Sequence, residues 1–187
     1  MSILEKTPLR RFTCEDVYRM VDAGVLREDE PVELLEGELV LMSPQSPRHV
    51  RFTEKIAQRL EHIYGSGFYA RRHAPLTVDA ESLPEPDVAL CRGTADSFDE
   101  RHPTGTDTLL VVEVTHSTLA VDRRKAALYA RAGVPEYWLL DLVAKRLEVR
   151  SGPDSEGNYR LTRLLAAGDS VAVPETSEEL SVAELLP

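Results

Sequence analysis

Cysteine is scarce: Cys14 and Cys91 are the only two in 187 residues, they lie far apart, and neither belongs to a C-x-x-C pair. Zinc ribbons, dithiol redox motifs and disulfide frameworks therefore lack their raw material, and reduced thiols in a cytoplasmic protein are expected. Long apolar runs are missing as well. No stretch approaches the roughly 18 uncharged apolar residues of a membrane span, and MSILEKTPLRRFTCEDVYRM carries charge throughout, so a soluble chain with no membrane partner is expected. Positive charge is short too: 22 Lys and Arg face 32 Asp and Glu, leaving −10. This disfavours a nonspecific polyanion binder, although the position of the basic residues decides. Three runs are locally basic, Arg48 to Arg51, Arg71 to His73 and Arg123 to Lys125. The chain has no G-x-S-x-G elbow, no G-x-x-x-x-G-K-[ST] phosphate loop and no G-x-G-x-x-G dinucleotide turn, which removes three common catalytic templates. Internal repeats and low-complexity segments are absent.

What is present reads as one domain over 1–187. Thr13 and Asp16 have capping-box spacing, and Gly24 is a stop, giving a helix from about Thr13 to Ala23. VELLEGELVLMS alternates about Glu36-Gly37 and predicts a tight hairpin closed by Pro44. Pro47 opens a helix whose apolar stripe (Val50, Ile56, Leu60, Ile63) ends near Gly65. Strands are predicted for GFYARR, APLTV, EPDVALC and, most strongly, TLLVVEVT, whose apolar run on both sides is that of a central strand covered on both faces. A helix from about Thr118 to Ala132, the strand EYWLLD, an antiparallel hairpin of KRLEVR and NYRLTRLL, and a short helical turn in SVAELLP complete the chain. The order implies an α/β fold, a sheet of mixed direction flanked by helices. The long loop from Arg92 to Asp107 is of a length that is often functional or mobile.

Two carboxylates stand out at the ends of adjacent apolar strands: Asp87 in PEPDVAL and Glu113 in LLVVEVT. An unpaired buried carboxylate costs several kcal/mol, so each needs a basic side chain, a proton or a metal cation as partner. Two carboxylates with waters and phosphate oxygens make a normal set for Mg²⁺. On the following helix, Asp122, Lys125 and Tyr129 share a face at i, i+3 and i+7. Lys125 there either helps phosphodiester hydrolysis electrostatically or merely forms an ion pair with Glu113 or Asp122. Tyr129, Tyr137 and Trp138 read as core packing. Among His62, His73, His102 and His116, only His116 is expected near the site.

PEPDVAL, LLVVEVTHST and DRRKAALYARAGVPEYWLLD together resemble the Uma-two family, members of the PD-(D/E)XK nuclease superfamily, over a core of about Val32 to Asp141. The resemblance implies a restriction-endonuclease-like fold and a metal-dependent nuclease acting on DNA. Asp87 and Glu113 would hold Mg²⁺ or Mn²⁺. Two residues after Glu113 stands Thr115 rather than Lys, and the resemblance implies Lys125 as the replacement cation. Glu38, as a third metal carboxylate, and His49, bonding a water or phosphate, match the family's usual pattern; their plain readings are a solvated strand acid and a first-turn residue. The alternatives are an inactive binding or assembly module of the same fold and a phosphoesterase for small molecules. A homodimer is expected, paired through the edge of the C-terminal hairpin.

Overall fold

The computed structural model describes residues 9–115 and 119–187. Helix α1 (Cys14–Asp22) starts at Thr13, whose hydroxyl accepts from the Asp16 amide at 3.1 Å while the Asp16 carboxylate accepts from the Thr13 amide at 3.1 Å. This reciprocal cap satisfies two otherwise orphaned donors. Strands β1 (Val32–Leu35) and β2 (Glu38–Leu41) form the expected hairpin. Its two-residue turn places both Glu36 (φ 49°) and Gly37 (φ 78°) in the left-handed region, which matches the twist of the flanking strands.

Helix α2 (Pro47–Tyr64) has Ser46 as its cap, with Pro47 in its first turn, and buries Phe52, Thr53, Ile56, Ala57 and Leu60. After it come β3 (Phe68–Arg72), β4 (Val88–Arg92), β5 (Thr108–Thr115), helix α3 (Leu119–Arg131), β6 (Glu136–Asp141), β7 (Arg146–Pro153) and β8 (Tyr159–Leu165). These six strands form one sheet in sequence order, antiparallel throughout except for β5 and β6, which are parallel and joined through α3. A parallel pair needs such a crossover. Every residue of β5 is buried, as its two-sided apolar run requires. The short pair β9 (Ser170–Ala172) and β10 (Glu179–Ser181), followed by α4 (Val182–Leu185), closes the chain.

Alternation along the strands divides the core into two layers. Val88, Leu90, Leu110, Val112, Val114, Trp138 and Leu140 pack with Ile56 and Leu60 of α2. Ala89, Cys91, Val111, Tyr137 and Leu139 face Ala126 and Tyr129 of α3.

Three expectations change in detail. APLTV forms no strand: Leu76 is buried, but its amide bonds Pro84, and Thr77 makes only an isolated bridge to Thr104. The Arg92 to Asp107 loop is fastened rather than free, with Arg101 paired to Asp107 at 2.7 Å and a short 3₁₀ turn over Ala95–Phe98, and none of its residues lines the cavity described below. The predicted start of α3 at Thr118, like His116, lies outside the described residues. No helix among the described residues is long and apolar enough to cross a membrane.

Candidate active site

Asp87 immediately precedes β4, and the antiparallel register Val88 to Val112 brings it opposite Glu113 of β5. By the strand period of two, both carboxylates project from the face that carries Ala89 and Val111, the face covered by α3. The two side chains are tied to each other's backbone: Glu113 Oε2 accepts from the Asp87 amide at 3.3 Å, and Asp87 Oδ2 accepts from the Val114 amide at 2.7 Å. Both line a cavity of about 380 Å³, at 7% and 3% exposure.

Helix α3 supplies the partners. Lys125 Nζ donates to Glu113 Oε1 at 3.3 Å, and the Tyr129 hydroxyl donates to the same oxygen at 2.9 Å. Asp122, one turn before Lys125, is buried and also lines the cavity. From α2, His49 Nε2 lies 2.7 Å from Asp87 Oδ1. The structure thus brings Asp87, Glu113, Lys125, Asp122 and His49 together around one cavity.

Glu38 is not among them. It lies on the solvent side of β2, 4.0 Å from Arg11, and lines a neighbouring cleft. Its place is taken by Glu33 of β1, which is 6% exposed and whose carboxylate lies 2.9 Å from Lys125 Nζ. Glu33 Oε2 also accepts from the Glu85 amide at 3.2 Å, which anchors the hairpin over the site. Glu33 could have been found by the argument that singled out Glu113, a charge set inside the run VELL. His73 was missed as well. It sits just after β3 at φ 46°, its Nδ1 is 3.4 Å from Asp87 Oδ1, and Gln45 Nε2 reaches the same nitrogen at 2.8 Å. Tyr129 belongs to the core as expected, but its hydroxyl also serves Glu113.

The electrostatics follow from burial. Removal from water pushes the Glu113 carboxyl up to about 8; Lys125 opposes the rise, while Asp87, Asp122 and Glu33 reinforce it. Burial works to lower Lys125, but Glu113 and Glu33 outweigh it and hold the ammonium above its usual range. The same contest leaves His49 raised, burial being outweighed by Asp87, whereas His73 is lowered chiefly by burial. Tyr129 is raised well above an ordinary phenol by burial and by Glu113, so it remains a donor.

The donor set can accommodate a hard divalent cation. Among the described residues, Asp87 Oδ2 and Glu113 Oε2 each accept a single protein hydrogen bond, which leaves a lone pair to offer. No three His, Cys, Asp or Glu side chains among the described residues form a complete ligand set. Two carboxylates completed by water and substrate oxygens is the usual arrangement for Mg²⁺.

Comparison with known proteins adds the family. No curated protein matches the chain. A solved structure from Anabaena variabilis ATCC 29413, described as "a putative nuclease belonging to DUF820", superposes with a TM-score of 0.74 at 16% identity, covering 95% of this chain and 97% of that one. At that identity the likeness establishes the fold, a restriction-endonuclease-like mixed sheet flanked by helices. The model of the family Uma2, described as "Putative restriction endonuclease", matches residues 14–185. With its fold and its paired strand-end acids, the chain belongs to the Uma2 family.

Proposed function

We propose that this protein is a metal-dependent nuclease that hydrolyses DNA phosphodiester bonds. The observation that carries the reading is the pair Asp87 and Glu113, buried on one face and opening into one cavity with an ammonium group 3.3 Å from Glu113. Asp87 and Glu113 would hold Mg²⁺ or Mn²⁺. When bound, such an ion supplies Lewis-acid polarisation of a phosphoryl oxygen and a more acidic attacking water.

The chain's own residues do the rest. His49 fixes Asp87 through Oδ1, and the Val114 amide fixes it through Oδ2. Tyr129 and Lys125 orient Glu113 from α3, and Glu33 holds Lys125 at the cavity wall. Lys125 therefore stands as a fixed positive charge beside the place where negative charge would grow on a transferring phosphoryl group. Small nucleases of this kind usually need two copies to cut both strands, and β8, the outer strand of the sheet with Leu161 and Leu164 exposed, is the edge through which a homodimer would pair. A monomeric mass by light scattering removes that part.

A second reading has its own support. Lys125 is already satisfied between Glu33 and Glu113, as in a noncatalytic module. One experiment separates the two. Supercoiled plasmid is incubated with Mg²⁺ or Mn²⁺, and the melting temperature is followed with and without the ion. The nuclease reading expects cleavage and a metal-dependent rise in melting temperature, both lost in Asp87→Asn. An intact plasmid and an unmoved melting curve overturn it.

A further inference from the structure

Two of the three basic runs have an arginine held by acids of the same chain. Arg72 is held by Glu61 at 2.8 Å and Glu54 at 3.2 Å, and Arg123 by Glu148 at 2.9 Å. Most other cations are likewise paired, among them Arg10, Arg27, Arg59, Arg92, Arg101 and Arg131. The third run behaves differently. Among the described residues, Arg48 and Arg51, both exposed on α2, make no ion pair, and neither does Lys55 one turn further along. Arg51 only stands over the Phe52 ring, at 5.6 Å. The three occupy i, i+3 and i+7, hence one face of the helix, flanking the one that buries Phe52, Ile56 and Leu60. The stripe begins between Ser46 and His49, both of which line the cavity.

In a chain of net charge −10 that pairs most of its basic groups, a row of three without ion pairs on one helix face starts beside residues lining the site. We propose that this face of α2 is the contact for a nucleic-acid phosphodiester backbone, leading the strand into the cavity; the inference rests on the nuclease reading and names where the substrate lies. Seven helical residues rise about 10 Å, and a strand of duplex presents a phosphate about every 3.4 Å of axis. The stripe therefore spans about three phosphates. Free arginines also suit this partner, since the guanidinium fork matches phosphate oxygens.

The test uses the full chain in EDTA, so that nothing is cut, with a fluorescently labelled 20-mer duplex titrated by anisotropy from 50 to 200 mM NaCl. Each lost phosphate contact lowers the slope of log K against log salt by about 0.9. Arg48→Ala/Arg51→Ala/Lys55→Ala is expected to bind more weakly with a slope reduced by about 2.7; across the salt range the wild type then loses about 40-fold more affinity than the variant. Arg160→Ala/Arg163→Ala, on β8, is the control and keeps the wild-type slope, and melting curves confirm that both variants fold. If the wild type binds and the triple variant retains its slope, the inference is overturned while the nuclease reading stands. If the wild type binds neither duplex nor single strand, both fall. Binding to phosphatidylserine vesicles in place of DNA, lost in the triple variant, assigns the stripe to a membrane surface and overturns the proposal.

Discussion

Replacing Lys125 by Met is the perturbation that best tests how the site is held together. The ammonium lies 2.9 Å from Glu33 and 3.3 Å from Glu113, and the three side chains are 7%, 6% and 4% exposed. At an effective dielectric of about 20, each attraction is worth roughly 5 kcal/mol before desolvation is counted. Methionine matches the volume but leaves two buried carboxylates without their cation, and breaking a buried pair in this way costs about 3–5 kcal/mol. For a domain of this size, each kcal/mol lowers the melting temperature by about 2–4 °C, so a fall of about 6–20 °C is expected at pH 7 without divalent ions, read by circular dichroism. Adding Glu33→Gln removes one of the stranded charges and recovers part of the loss. A Lys125→Met melting temperature within about 2 °C of wild type would refute the reasoning, because it would mean that neither carboxylate depends on this ammonium.

Two further outcomes follow from the same geometry. Tyr129→Phe keeps the ring in the core but deletes the 2.9 Å donor to Glu113; it is expected to cost about 1.5–3 kcal/mol in urea unfolding, the usual worth of a bond to a charged acceptor. Gly105→Ala drives a Cβ onto the carbonyl oxygen of Ala132 and to 2.7 Å from its carbonyl carbon, so a loss of about 1–3 kcal/mol is expected. An unchanged melting temperature there would mean that the Arg92 to Asp107 loop does not dock on the end of α3.

Local physics made much of this molecule readable from its residues. The Thr13 and Asp16 cap, the Ser46-Pro47 helix start and the two-sided apolar run of β5 are short-range patterns, and each appears where its chemistry puts it. Glu113 and Lys125 were legible for the same reason, one as a charge inside an apolar strand, the other by helical spacing. What failed depended on long-range pairing. Glu33 and Glu38 stand on the same hairpin, and only the docking of β1 on the segment before β4, through Leu34 with Leu83, decides which acid turns inward. His73 follows Arg72, and Arg72 pairs with Val88; nothing in the run Arg71 to His73 announces that its last residue will come beside Asp87. APLTV has strand composition, but Pro75 cannot donate to a ladder.

On the proposed nuclease reading, the cation that would serve Glu113 comes from α3 rather than from the strand two residues later. Glu113 and Thr115 share a face of β5, and Thr115 is buried at the point where β5 meets Asp141 of β6. A lysine there would compete for a crowded strand end. Helix α3 folds back over the same face and delivers Lys125 from above, with Glu33 holding it on the other side. That arrangement leaves Glu33, Glu85, Asp87, Glu113 and Asp122 around a cavity with a single ammonium. The shortage of positive charge shows in the carboxyls: both Glu113 and Glu85 are raised, each first by burial and then by neighbouring acids. Protons or a cation can close that deficit, and they compete for it. Burial and the neighbouring acids favour the protonated Glu113 carboxyl while Lys125 favours the ionised one, and an ion that binds there must displace whatever proton the carboxyl holds. The raised Glu113 carboxyl and, on the proposed reading, a divalent cation held with Asp87 would thus be two answers to one imbalance, built in where Glu33 rather than Glu38 turns toward Lys125.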